Sequence, residues 1–568
     1  MRLLTDADLD TALTRLFRAR MKLGMFDPPE RVPYAQIPFE ANNTPEHAVL
    51  ALRAAHESIV LLRNARGMLP LSKDVKRVAV IGPNADDEIA LLGNYHGVPS
   101  NPVTLLRGIQ QKLPSTQVSF ALGPDLAENM PAFEPVPASA LRPDTTGSDQ
   151  GLRARYFDNL KLKGKPTLAR IDSSIDFNWY LEPPAEKLAG GVFSASWEGW
   201  LVAPDSGTYY LGAYGFRQFK ITFADSELVS FKGRTNPRLR YKKVRLEAGK
   251  LYPICVEYRG IEPYTQQRAS LQLVWSRPPA VREREALATA KSADVVILGL
   301  GLSPRLEGEE RRIEIPGFKG GDRTDLKLPQ TQEEFLRKVV ALGRPVVLVL
   351  FNGSALAVNW AAENVPAIVE AWYPGQAGGT AIADVLFGDA NPGGRLPVTF
   401  YKSVDQIPAF TDYGMAGRTY RYFRGQPLFP FGFGLSYTRF RYSDLRVPGT
   451  LTTGDSLQIE VTVQNVGRRA GDEVVQVYAS APRAREIRWL VGYKRVHLKA
   501  GEKRRVRLAI SPWALAWVNA DGKRVLEPTV LNLSVGGKQP GFRGMADAWT
   551  TEVLTTQVRL EGQKVVLE

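Results

Sequence analysis

Glu307, Glu309 and Glu310 fall within four positions of one another in the stretch SPRLEGEERRIEIPGFKGGDRTDLKLP, with Arg305, Arg311 and Arg312 around them. Carboxyls so close can do acid–base chemistry if one of them keeps its proton near neutral pH. Burial or a neighbouring carboxylate raises a carboxyl for that task, and the flanking arginines pull the other way. The opposite reading is a solvated charged loop, the usual fate of a charge run. Read from the residues alone, the stretch favours the loop and leaves all three glutamates open.

The elements before and after the stretch change its standing. ADVVILGLG (293–301) immediately precedes it, and PVVLVLF (345–351) and AIVEAWY (367–373) follow; all three are short apolar runs of strand length. Between and after them, TQEEFLRKVVALG and QAGGTAIADVLFG read as helices stopping at Gly343 and Gly388. Upstream, Thr44 is a candidate N-cap and Pro45 a first helical residue for a helix over EHAVLALRAAHESIVLLRN, followed by the strand-like KRVAVIGPNA. Strands alternating with helices predict a mostly parallel sheet covered on both faces, with ligands at the C-terminal ends of its strands. The glutamates begin at such an end.

Two other regions read as all-β. Residues 150–277 are rich in aromatics and short alternating runs, flanked by the proline-rich PVPASALRPDTTGSD and SRPPAVRERE, as an inserted β-sandwich would be. In 441–568, SLQIEVTVQN alternates Leu457, Ile459, Val461 and Val463 with polar residues, the signature of a half-buried strand in an immunoglobulin-like sandwich. The predicted fold class is thus multidomain α/β plus all-β: an α/β sandwich interrupted by one β-sandwich and followed by another.

Composition narrows the function classes. The 568 residues carry a net charge of +14, but the basic residues are scattered and no nucleic-acid motif accompanies them, so no nucleic-acid partner is expected. No run approaches a membrane span, and MRLLTDADLDTALTRLFRARM is amphipathic and charged, unlike a signal peptide. The chain as written reads as cytoplasmic; a missing upstream segment would leave a periplasmic or secreted location open. One cysteine, Cys255, and four scattered histidines make no metal-ligand spacing, and no phosphate-binding loop is present, so no metal and no cofactor are expected.

The strings ESIVLLRN, RVAVIGPNA, LGNYHGVP, EGEE with GGDRTDLKLPQTQ, AWYPGQAGGTAIADVLFGDANPGGRLPVTFY and GRTYRYFRGQPLFPFGFGLSYTRF together resemble glycoside hydrolase family 3. NVGRRAGDEVVQVY resembles the fibronectin type III-like domain that ends many members, and FSASWEGWLVAPDSGTYYL resembles the β-sandwich first described in anthrax protective antigen. The resemblance implies four parts. Residues 1–43 would be a remnant of a barrel's last helix and its linker. Residues 44–145 and 285–440 would form the split α/β sandwich domain, 146–284 the inserted sandwich, and 441–568 the fibronectin-like domain.

It also implies an activity: retaining hydrolysis of β-linked oligosaccharides, with β-xylosidase favoured over β-glucosidase because LGNYHGVP and the LEGEE loop look like the xylosidase branch. In the family a (β/α)8 barrel supplies the aspartate nucleophile, and these residues hold no counterpart of it, so the sequence is expected to be a fragment, the product of a truncated gene, or a chain that works with a separate barrel chain as partner. The acid/base glutamate carries over best onto Glu309, with Glu307 and Glu310 as alternates. Asp322–Arg323 is expected to be an ion pair at the loop base, and Trp372 and Tyr373 are expected to pack rather than stack on sugar. AYGFRQ (213–218) lacks the adjacent aspartates by which related sandwiches bind sugar through calcium. The competing reading is a catalytically inactive truncated protein that binds carbohydrate or serves as a scaffold.

Overall fold

Runs such as VVILGLG and VVLVLF have no polar alternation, so a strand made of either must be buried on both faces. The computed structural model, which describes residues 4–97, 99–179, 183–188, 192–233, 238–260, 270–309, 312–542 and 553–567, places both at the centre of one six-stranded sheet. Its strands are β1 (Val60–Asn64), β2 (Arg77–Ile81), β3 (Gln117–Ala121), β4 (Val295–Gly301), β5 (Val346–Phe351) and β6 (Ala367–Glu370), in the spatial order β1-β6-β5-β4-β2-β3. All neighbouring pairs are parallel except β1 with β6. The whole of β4 and β5 is buried.

The helix expected to run on through IVLLRN instead ends at Ser58, and Val60–Asn64 becomes edge strand β1. The β-branched pair Ile59 and Val60 and a fully buried Val60-Leu61-Leu62 fit a strand packed inside the protein better than a helix face. Helices Gln330–Ala341 and Gly378–Leu386 end just before Gly343 and Gly388, both at positive φ, where glycine carries no steric penalty.

The inserted β-sandwich has a five-stranded and a seven-stranded sheet. It takes in short strands from Glu134 onward, and the chain returns to helix at Pro279. Its entry strand Glu134–Pro135 pairs with its exit strand Ser270–Ser276, so the two crossings of the seam lie side by side. Arg277 ties them, donating to Glu134 at 2.7 Å and to both oxygens of Glu285 at 2.9 and 2.7 Å. Trp197, Tyr156, Tyr209, Tyr258 and Trp275 fill its core.

The terminal sandwich pairs a three-stranded with a five-stranded sheet, and Leu457, Ile459, Val461 and Val463 all point into its core. It meets the α/β domain at a buried ion pair: Arg395 donates to Glu473 at 2.8 Å, and the Tyr442 hydroxyl donates to the same carboxylate at 2.6 Å. The basic clusters lie on strand faces, where Arg507 pairs with Glu460 at 2.6 Å.

By contact the chain divides into residues 1–54 and 55–568. In the first unit, helix Asp6–Lys22 is closed by a capping box between Thr5 and Asp8, and it buries none of its residues. Leu9, Leu13 and Leu16, one apolar stripe at helical spacing, are exposed.

Replacing Arg395 with Met strands the buried Glu473 charge and is expected to cost about 3–5 kcal/mol in urea unfolding. Adding Glu473→Leu together with Tyr442→Phe is expected to recover most of that loss.

Candidate active site

Strand β4 ends at Gly301, whose φ is +134° and where a Cβ would stand 2.1 Å from the Phe351 carbonyl oxygen. Only glycine fits there, and it lets the chain leave the sheet close to β5. Buried Gln332, at the start of the helix after the loop, clamps this exit. It accepts from Gly301 N–H at 2.8 Å and donates to the Gly301 carbonyl at 2.8 Å. The loop that follows makes a tight turn in which the N–H groups of Leu306 and Glu307 both donate to Ser303 C=O, at 2.8 and 2.9 Å. Beyond the glutamates it folds into a small antiparallel sheet of Glu314–Ile315, Phe318–Lys319 and Asp322–Arg323. The charge run is therefore built on an ordered base.

Glu307 is the fixed carboxylate. It accepts from the Tyr373 hydroxyl at 2.6 Å, from Gly353 N–H at 3.2 Å and from the Ser354 hydroxyl. Gly353 must be glycine here, because a Cβ would come within 2.9 Å of the Tyr373 ring. These three donors hold the carboxylate in place, with the Arg323 charge nearby. Burial, with the Glu307 charge and hydrogen bond added, drives the Tyr373 hydroxyl far above the usual phenol range, so it stays a donor.

Glu309, two residues on, is exposed, and its carboxylate accepts a hydrogen bond from the Tyr95 hydroxyl. Tyr95 belongs to the LGNYHGVP stretch, sits at φ +56° and is 81 % exposed. The structure thus brings Glu307 and Glu309 to one strand end but separates their surroundings: one carboxylate is saturated by protein donors, the other faces outward. Glu310 lies outside the described residues.

Arg305 sends its side chain away from the glutamates to Asp87, which follows β2, through Nη1 and through Nη2 at 3.1 Å. Burial pulls its guanidinium down, yet the Asp87 carboxylate outweighs that and leaves it raised. Tyr214 of the inserted sandwich is near enough to feel both charges, and burial raises its hydroxyl. AYGFRQ thereby comes near the base of the glutamate loop. Among the described residues no group of acidic, histidine or cysteine side chains could hold a metal ion.

Arg323 secures the loop, but not through the expected pair with Asp322. Adjacent residues on a strand face opposite ways. Asp322 is exposed, while Arg323 donates to the Ser354 hydroxyl at 3.0 Å and the Ala355 carbonyl at 2.6 Å. Trp372 packs as expected, its ring edge-on to Phe400 at 6.0 Å and its indole N–H donating to Ser58 C=O at 3.1 Å. Tyr373 does more than pack, since its hydroxyl holds Glu307. Tyr95, Tyr373 and Ser354 had no signal in the sequence: each is a lone hydroxyl residue whose partner is hundreds of positions away or in another strand's turn.

The comparisons agree with this architecture. The model of the glycosyl hydrolase family 3 C-terminal domain matches residues 59–437, and that of the fibronectin type III-like domain matches residues 473–539. The chain belongs to glycoside hydrolase family 3. It is 35% identical over 533 residues to a xylan 1,4-beta-xylosidase of Xylanibacter ruminicola, covering 91% of this chain and 60% of that protein. It is 33% identical over 540 residues to a probable beta-glucosidase J of Neosartorya fischeri, covering 82% and 59%. A beta-glucosidase of Kluyveromyces marxianus solved with glucose superposes with a TM-score of 0.65 at 27% identity, over 93% of this chain and 63% of that one. The chain spans about three fifths of the length of these relatives.

Tyr373→Phe and Ser354→Ala each remove one donor to a charged group, worth about 1.5–3 kcal/mol. Either is expected to speed amide exchange across residues 303–323 by about 10- to 100-fold, as read by mass spectrometry.

Proposed function

We propose that this chain is the acid/base half of a retaining β-glycosidase, with Glu309 as the general acid and base. The observation that carries the reading is the division of labour in the loop: Glu307 is consumed by protein donors, and Glu309 stands exposed two residues further on, beside a tyrosine hydroxyl. A retaining glycosidase needs a second carboxylate about 5–5.5 Å from the first. In this reading an aspartate of a barrel outside residues 1–568 attacks the anomeric carbon while Glu309 gives its proton to the departing oxygen. Glu309, now a carboxylate, takes a proton from water as that water attacks the glycosyl–enzyme bond and frees the nucleophile. A β-xyloside is favoured as substrate, in keeping with the similarity to a xylosidase. The inserted sandwich, read as the protective-antigen type, walls the cleft through Tyr214 and its strand Gly207–Gly215. The exposed stripe Leu9-Leu13-Leu16 is the kind of surface a barrel would cover.

The test is hydrolysis of nitrophenyl β-xyloside and β-glucoside by the chain alone and mixed with a separately expressed family 3 barrel. Activity is expected in the mixture only, greater on the xyloside. Glu309→Ala is expected to lower it by about 10²–10⁴-fold, with partial rescue by azide. Activity of the chain alone, or an unaffected Glu309→Ala mixture, would overturn the assignment. Sugar binding without hydrolysis in any mixture would point instead to a carbohydrate-binding scaffold.

A further inference from the structure

Glu370 closes strand β6, and its side chain is fully buried, at 0 % exposure. Its partners across the sheet, Val60 on β1 and Leu350 on β5, are apolar. One carboxyl oxygen, Oε1, accepts from Trp372 N–H at 3.1 Å, and Oε2 has no partner among the described residues. The Asn352 side chain, in the turn after β5, acts on this carboxyl as a hydrogen-bonding group and lowers it, an effect smaller than the rise from burial. The Asn352 amide nitrogen is committed elsewhere, donating to the Ser354 carbonyl at 2.9 Å, so the amide oxygen is the atom left over, and it too is buried without a partner. Two buried acceptors without a partner are costly, and a charge on one of them makes it worse. A proton on Oε2 turns one of the two into a donor.

The charges around the site point the same way. Among the described residues the charged group that acts on Glu370 is another carboxylate, Glu307, while Arg323 donates to Ser354 and Ala355 and the Tyr373 hydroxyl donates to Glu307. Burial pushes the Glu370 carboxyl up to about 8, with the Glu307 charge adding to it. Two carboxyls that share a site do not both ionise readily.

We propose that Glu370 is a positioning residue that stands protonated in the folded chain, donating Oε2–H to Asn352 Oδ1, so that no second carboxylate charge stands beside the half-buried Glu307 and the loop bearing Glu309 keeps its seat. Asn352, held by the proton on one side, fixes the Ser354 carbonyl on the other, and the Ser354 hydroxyl holds Glu307. Ionising Glu370 sets a second charge beside Glu307 and breaks this chain of contacts at its root. The positioning role rests on the reading of Glu309 as the acid/base; the proton on Glu370 does not.

The test compares the full chain with Glu370→Gln, whose amide reproduces the neutral acid and its donor. An unfolded glutamate titrates at about 4.3, so between there and about 8 the folded chain binds more protons than the unfolded one. Stability contributed by the protonated form is present below that window and is lost as pH rises through it. The melting temperature of the wild type is expected to fall relative to Glu370→Gln by at least about 2–4 °C between pH 5 and pH 8.5. Parallel curves, or a Glu370→Gln chain that does not fold, would overturn the proposal. Amide exchange across residues 303–323, corrected for its intrinsic pH dependence, is expected to quicken about tenfold above pH 8 in the wild type and not in the variant. A stability difference without that change in exchange would overturn the positioning role while leaving the proton in place and the glycosidase reading untouched.

Discussion

Every central strand of the parallel sheet is buried on both faces, so the chain leaves the sheet where water is scarce and the polar groups there must satisfy one another. The C-terminal ends of β4, β5 and β6 show how that is met. Gln332 closes the hydrogen bonds of Gly301, Asn84 donates to the Leu302 carbonyl at 2.9 Å, and the turn Asn352-Gly353-Ser354 supplies donors to Glu307. The loop is held in place because the strand ends need it, and the position of Glu309 follows from that need. A loop pinned at Gly301, Arg305, Glu307 and Arg323 can expose one carboxylate at a defined place without spending ordering entropy on it later.

The same logic governs the seams between domains. The inserted sandwich enters and leaves through two strands paired with each other, so one arginine, Arg277, neutralises both crossings. Arg282 then reaches back, fully buried, to the Gly123 carbonyl at 2.9 Å and to Asp125. The strand Gly207–Gly215 of the sandwich carries Tyr214, whose hydroxyl feels the charges of Arg305 and Asp87. The terminal sandwich is joined through Arg395, Glu473 and Tyr442, three groups that each need the other two once buried. Specific geometry is gained at these seams from charges that would be costly alone.

What could be read from the sequence follows from what is local. The apolar runs of β2, β4 and β5, the helix stops at Gly343 and Gly388 and the alternation of Leu457 to Val463 are properties of neighbours in the chain, and each appears in the structure as read. Strand β1 was hidden because IVLLRN continues a helical pattern without a stop signal, and only pairing with β6, some three hundred residues later, makes it a strand. The glutamate loop was visible as chemistry but not as geometry. The charge run shows that Glu307 and Glu309 are close in sequence; it does not show that Tyr373 and Ser354 claim one of them and Tyr95 touches the other. Asp322–Arg323 misled for a related reason, since adjacency in sequence is what turns their side chains apart on a strand.

Glu370 illustrates the limit most sharply. In the sequence it is the only charged residue in the strand AIVE, and a strand that ends in glutamate ordinarily ends in solvent. Here Trp372, two residues on and at φ +61°, turns the chain back over the sheet, its indole reaching Ser58 and its ring Phe400. That turn seals the carboxyl in. Once sealed, it can be met by a cation, by donors or by a proton. The nearby arginine is already engaged with Ser354 and Ala355, and the nearby amide nitrogen is engaged with the Ser354 carbonyl. The proton is what remains, and it is also the choice that leaves Glu307 free to be the one charge on which the loop is seated.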